Sequence, residues 1–189
     1  MAAFTLLELL VVITVIAILL GLLYGAIRTV SRYSRETITR CELSNIEVAW
    51  KHYYDSYHVW PTNDVENASS APAFEQDPAG DVQYEIGPLL ARMLEGTPTN
   101  AAGYPPLNPD GVSFLELTRF DQSAAPVNAW GVMRGQRYFV KLDVNGDNVL
   151  NVPTDLPVVS SHTTNIFRRV AVWTANPDRP GILIGNWMH

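Results

Sequence analysis

The sequence predicts an α+β protein in which a long N-terminal helix packs on a small C-terminal antiparallel sheet. Three patterns carry that reading. From Leu9 to Ile27 the chain holds 19 residues without a charge, about 28 Å of helix at roughly 1.5 Å per residue, the thickness of one hydrocarbon core. From Thr29 to Tyr57 apolar residues recur three and four apart, the spacing of one helix face. Beyond residue 113, β-rich runs alternate with Gly and Pro, as antiparallel strands and their turns do.

The first element is read as a membrane span. A helix satisfies all its own backbone polar groups in lipid. A cleaved secretory signal has a shorter apolar core, and a buried core helix of this length keeps a polar face. Glu8 interrupts the pattern one turn into the run. An ionisable side chain in such surroundings is functional by default and calls for a named partner. The nearby cation able to reach it is a backbone α-amine, and that amine exists only if the chain is cut just ahead of Phe4.

The stretch Ala3-Phe4-Thr5-Leu6-Leu7-Glu8-Leu9-Leu10-Val11-Val12-Ile13 resembles the prepilin cleavage and methylation motif of type IV pilins and type II secretion pseudopilins. The resemblance implies a pilin fold, cleavage between Ala3 and Phe4, methylation of the new Phe4 terminus, and assembly through Phe4 and Glu8. There Glu8 would pair with the terminal amine of a neighbouring subunit. It also implies a prepilin peptidase, further copies of this chain, other pseudopilins and an inner-membrane assembly platform as partners. Residues 1–3 are then a leader, and one lacking the Lys or Arg usual in that family, as a truncated leader would. Residues 4–27 are the transmembrane and filament-core helix.

Residues 28–60 continue that helix in amphipathic form. Leu43, Ile46, Trp50, Tyr53 and Tyr57 share one face, and no Pro or Gly lies between Ile27 and Val59. Trp60-Pro61 should end it, because a residue before Pro avoids the α region. Arg28, Arg32, Arg35 and Arg40 follow the span. By the positive-inside rule alone they would hold the body in the cytoplasm; the resemblance instead implies the bacterial inner membrane, a single pass, and a periplasmic body.

Residues 61–189 form that globular body, with a loop region over 61–112 and a sheet region over 113–189. Within the loop region Gly87-Pro88 opens a short helix through Leu94, and Gly96 closes it. Ser113-Phe114-Leu115-Glu116 reads equally as a capping box or a strand start. Arg137–Leu142, Ile166–Trp173 and Ile182–Ile184 are the expected strands. Asn128-Ala129-Trp130-Gly131 resembles the Pro-Trp-Gly turn of the major type II pseudopilin. Val172–Asp178 resembles that family's strand ending in Ser-x-Gly-x-Asp-Gly, with Arg179 where the last Gly would stand.

Composition narrows the function classes. The net charge of −6 does not suit a nucleic-acid surface, which depends on Lys and Arg meeting phosphate. Cys41 is the single cysteine, which excludes an intrachain disulfide and reads as a small packed apolar residue. His52 and His58 lie on different helix faces, and His162 and His189 are isolated. No nucleophile elbow, phosphate loop or zinc spacing occurs, so the chain is not read as an enzyme.

One loop has the pattern of a cation site. Asp143, Asn145, Asp147, the Val149 carbonyl and Asn151 fill alternate positions of a calcium loop, with Asn148 suited to its turn. The bidentate acid of the twelfth position is missing, since Thr154 stands there. The alternative is a tight hairpin turning on Asn145-Gly146. The resemblance adds Asp178 as a candidate calcium ligand, without a counterpart for the family's second acid. Calcium is thus the one cofactor suggested, bound weakly, with Kd of about 10⁻⁴–10⁻³ M as in extracellular modules.

Together these readings give a structural subunit of a type II secretion pseudopilus. The alternatives are a type IV pilus minor pilin, or a single-pass anchored module whose calcium loop or exposed aromatics bind a partner.

Overall fold

The computed structural model describes residues 5–61, 75–76, 80–97, 107–154 and 163–188. The chain divides into two compact units, Met1–Arg35 and Glu36–His189, and helix α1 (Leu6–Tyr57) contributes to both.

In the first unit every described side chain from Thr5 to Ser31 is exposed, Leu6 at 84% and Leu22 at 73% among them. Polar side chains there turn inward on the helix itself. Thr14 donates its hydroxyl to the Leu10 carbonyl at 2.7 Å, and Thr29 donates to that of Gly25 at 3.2 Å, so neither needs water. Among the described residues α1 is the one helix apolar and long enough to cross a membrane, with a mean hydropathy of 3.0 over its best window.

In the second unit the predicted stripe is buried: Leu43, Ile46, Trp50 and Tyr53 are each 3% exposed or less. Tyr57 is partly buried against the same cluster. The helix ends at Tyr57, just short of the expected Trp60-Pro61 boundary. His58 adopts a left-handed φ of 56° while its N–H still reaches the Tyr54 carbonyl at 2.7 Å.

Five strands form an antiparallel sheet in the order β1-β2-β3-β6-β7. They are β1 (Glu75–Gln76), β2 (Val82–Glu85), β3 (Tyr138–Leu142), β6 (Val170–Ala175) and β7 (Leu183–Gly185). Strands β4 (Leu150–Pro153) and β5 (Thr163–Ile166) pair separately. One sheet face, through Tyr138, Val140, Leu142 and Val172, packs on the α1 stripe and on α2 (Pro88–Leu94). The other, through Ala171, Trp173 and Leu183, packs on Leu150 and Val152 of β4. Helix α2 starts on Gly87 with Pro88 at its first position, and Gly96 follows it at φ 86°, as the sequence predicts.

Four expectations change. Strand β2 lies inside the stretch read as loop: its Val-Gln-Tyr-Glu pattern alternates, but four residues are too few to stand out without their partner β3. Over 113–137, read as part of the sheet region, only the isolated bridges Phe120–Pro126 and Val127–Arg137 form among the described residues. The Ile166–Trp173 run is two strands, because the chain changes sheets at Phe167-Arg168-Arg169. Phe167 is left 85% exposed, while Arg168 bonds Glu47 at 3.2 Å and Arg169 lies 4.5 Å over the Tyr54 ring. Cys41 is exposed rather than packed, since it falls outside the Leu43/Ile46/Trp50 stripe.

Glu47 ties α1 to this crossover and to Asn186, just after β7. It is 7% exposed and accepts from Lys51 at 2.7 Å, Arg168 at 3.2 Å and Asn186 at 2.7 Å. Burial pushes its carboxyl up, but the Lys51 and Asn186 hydrogen bonds and the Lys51 and Arg168 charges outweigh it and hold the group below the usual range.

Candidate functional site

The predicted functional residues fall in three places, one in the first unit and two in the second. Ala3 and Phe4 lie outside the described residues. The N-terminal site is therefore seen through Glu8, the third residue of α1. Thr5 N–H donates to Glu8 Oε2 at 2.9 Å and the Thr5 hydroxyl to the same oxygen at 2.8 Å. In return Glu8 N–H donates to Thr5 Oγ1 at 3.3 Å.

This reciprocal pair is a capping box, which satisfies two orphan N–H groups at a helix start. Thr5-x-x-Glu8 is its sequence signature, a signal passed over when Glu8 was considered for pairing between subunits alone. Both bonds fall on Oε2; among the described residues Oε1 has no partner. The carboxylate thus combines a local anchor with a second acceptor for a donor from elsewhere, at the head of a wholly exposed apolar helix.

The second place is the Asp143–Val149 loop between β3 and β4. The tight hairpin does not form: β3 pairs with β2 and β6, and β4 pairs with β5 in the other sheet. The intervening chain folds on its own side chains. Asp143 Oδ1 accepts from Gly146 N–H at 2.8 Å and Oδ2 from Asn148 N–H at 3.1 Å. Asn145 Oδ1 accepts from Asp147 N–H at 2.9 Å, and Asp147 Oδ1 from Val149 N–H at 2.7 Å. Gly146 and Asn148 supply the left-handed residues, at φ 80° and 59°, the latter as predicted.

Neighbouring elements hold this loop in place. Trp60 Nε1 donates to the Asp143 carbonyl at 2.7 Å, and Arg169 Nε stands 3.8 Å from Asp143 Oδ2. Asp143 itself is 1% exposed, and the Asn151 amide oxygen is buried with no hydrogen-bond donor.

Sequence reasoning missed Asp81. It is fully buried, and the groups that favour its charged form are the Lys141 ammonium and the Val144 N–H. The register that pairs Val82 with Leu142 sets Asp81 across from Asp143 one step further along. Directly opposed residues of an antiparallel pair face the same side. Burial raises the Asp81 carboxyl to about 6; the Lys141 charge and the Val144 N–H oppose the rise, and the Asp143 and Asp147 carboxylates add to it. Among the described residues no group of three or more His, Cys, Asp or Glu side chains is placed to hold a metal ion.

Asp178 is placed elsewhere. It follows β6 at the Thr174 end, whereas Asp143 adjoins the Val170 end, as the pairing of Tyr138 with Thr174 and of Leu142 with Val170 requires. Its carboxylate accepts from Trp130 Nε1 at 2.8 Å and pairs with Arg134 at 2.7 Å. It thereby fastens the Asn128-Ala129-Trp130-Gly131 turn, where Gly131 has φ 78°. The Asn128 side chain closes the turn, accepting from Gln136 N–H at 3.1 Å and donating to Thr174 at 3.1 Å.

A groove of about 500 Å³ lined by Arg40, Glu47, Arg168 and Asn186 adds no further candidate. Its Arg168 and Asn186 both donate to Glu47, and Arg40 donates to the Met188 carbonyl at 2.5 Å.

Neither a curated protein nor a solved structure matches the chain. The family model described as the prokaryotic N-terminal methylation motif matches residues 1–24. That match takes in Ala3, Phe4, the capping-box pair and most of the uncharged run, and it likens this stretch to the methylation motif of type IV pilin-like precursors that prepilin peptidase processes.

Proposed function

We propose that the protein is a structural subunit of a type II secretion pseudopilus, cleaved between Ala3 and Phe4, methylated on Phe4 and polymerised through the N-terminal part of α1. The observation that carries this reading is the combination of a methylation motif over residues 1–24 with a helix that leaves all its described apolar side chains exposed from Leu6 to Val30. A helix apolar all round buries itself in lipid or among copies of itself. Before assembly the span sits in the inner membrane; after extraction the same surface packs in the filament interior. The body is periplasmic, and its partners are further copies, other pseudopilins and the assembly platform.

Glu8 sets the register of packing. Its Oε1 accepts the freed Phe4 amine of the adjacent copy, a charge pair made in a surrounding of low dielectric constant where an unpaired carboxylate is costly. The Asn128–Gly131 turn and the Val172–Asp178 strand end support a pseudopilin over a type IV pilin, since both resemble that family's sequence. Substituting Glu8→Ala should leave the protein inserted in the membrane and lower the yield of sheared filament severalfold on an immunoblot. A wild-type filament yield would refute the assigned role of Glu8.

A further inference from the structure

We infer that Arg28, Arg32 and Arg35 form a binding surface for anionic phospholipid headgroups at the membrane boundary of α1. The inference rests on the proposed membrane-borne state of the chain before assembly and adds a partner to it. Glu8 is the last charge before Arg28, and no acid stands between Glu8 and Glu36. The first charge after the 19-residue apolar run is therefore an arginine, and two more follow at spacings of four and three. All three belong to the Met1–Arg35 unit.

That spacing gathers the three side chains within about 60° of one another around the helix. At roughly 1.5 Å per residue they lie about 2, 8 and 12 Å beyond Ile27 along the axis. A headgroup layer is about 5–8 Å deep on each side of the hydrocarbon core. Helical side chains lean toward the N-terminus, here back toward the lipid, which brings the long Arg35 side chain within reach of that layer. Arg28 shows the lean: its guanidinium lies 4.7 Å over the ring of Tyr24, one turn nearer the span. Arg32 stands 5.5 Å over the Tyr33 ring. Tyrosines flanking a span collect at the lipid–water boundary, and both of these are more than half exposed.

The three charges are still to be balanced. Arg28 is exposed, and Arg32 and Arg35 are partly so. Among the described residues none of them has a carboxylate in ion-pair range. A second copy is the competing partner, but the acids of α1 from Glu36 to Glu47 are engaged within their own unit. Glu36 accepts from Asn176 at 3.1 Å, Glu42 pairs with Arg119 and accepts from the Tyr138 hydroxyl, and Glu47 holds Lys51, Arg168 and Asn186. A lipid phosphate lies at the right depth, and a planar guanidinium takes it through two parallel hydrogen bonds. Basic residues clustered beside a span are drawn to an anionic lipid surface in this way.

The test is reconstitution of the full-length chain into phosphatidylcholine bilayers that carry a trace of spin-labelled phosphatidylglycerol or spin-labelled phosphatidylcholine. Electron paramagnetic resonance then reads the fraction of each label held against the protein. Wild type should favour phosphatidylglycerol about fivefold, and salt at about 1 M should remove most of that preference. A variant carrying Arg28→Gln, Arg32→Gln and Arg35→Gln should insert as wild type does and hold the two lipids nearly equally; glutamine keeps the helix propensity of arginine. A wild-type chain that resists carbonate extraction from the bilayer yet shows no preference would overturn the lipid surface alone. A chain released by carbonate would refute the membrane span, and this inference with it. A variant that keeps the preference would also overturn it, and a reduced filament yield from that variant would assign the stripe to a second copy instead.

Discussion

A carboxylate's neighbours decide what it does, and this chain uses its acids in three ways. Glu8 closes a capping box and keeps one oxygen for another donor. Glu47 is buried but fully paired, and it braces α1 against the sheet crossover. Asp81 is fully buried, and its ionisation opposes folding because the Lys141 charge and the Val144 N–H offset only part of the cost of burial. The sign follows from its raised carboxyl: at about 6, against 3.8 when free, the folded state holds the proton more tightly than the unfolded chain. Stability from this group is therefore full below about pH 4 and lost as pH rises through about 6. Asp81→Asn should raise stability at pH 7 by about 1–3 kcal/mol, and the gain should vanish near pH 4. Thermal unfolding of both proteins across that range checks the slope; equal curves would mean Asp81 is already neutralised. Asp143, Asn145 and Asp147 were legible because their spacing is local. Asp81 was not, since a lone acid between Gly80 and Val82 acquires meaning only from the β2–β3 register.

At the scale of elements, α1 was the most readable part. Its uncharged run and its Leu43/Ile46/Trp50/Tyr53 stripe are helical periodicities that extend over many turns, and both appear where they were expected. The stripe carries much of the second unit's stability. Trp50 is fully buried and meets Tyr53 edge-on at 6.1 Å between ring centroids. Its replacement by Ala should cost about 3–5 kcal/mol, read as a drop in the denaturant midpoint; a loss below about 1 kcal/mol would show that the stripe packs loosely. The strands were less readable. A run of eight residues rich in β-formers, from Ile166 to Trp173, conceals the point where the chain leaves one sheet for another. That break is fixed by long-range partners, Glu47 for Arg168 and Tyr54 for Arg169, which no local pattern announces. Gly146 signalled a turn correctly, but the turn joins two sheets instead of two paired strands.

For the whole molecule, hydrophobicity is distributed in two ways along one chain. In Met1–Arg35 it faces outward on a helix with no described core of its own; in Glu36–His189 it is buried on both faces of a five-stranded sheet. A soluble protein gains nothing from the first arrangement, whereas a subunit passing from lipid into a polymer needs it. The methylation motif at residues 1–24 coincides with that surface, which is why the N-terminal part was more legible than the details of the body. The most direct measurement is mass spectrometry of the N-terminus of native protein isolated from membranes. The account predicts a chain beginning at Phe4 and carrying one extra methyl group on its amine; a chain still beginning at Met1 would contradict it.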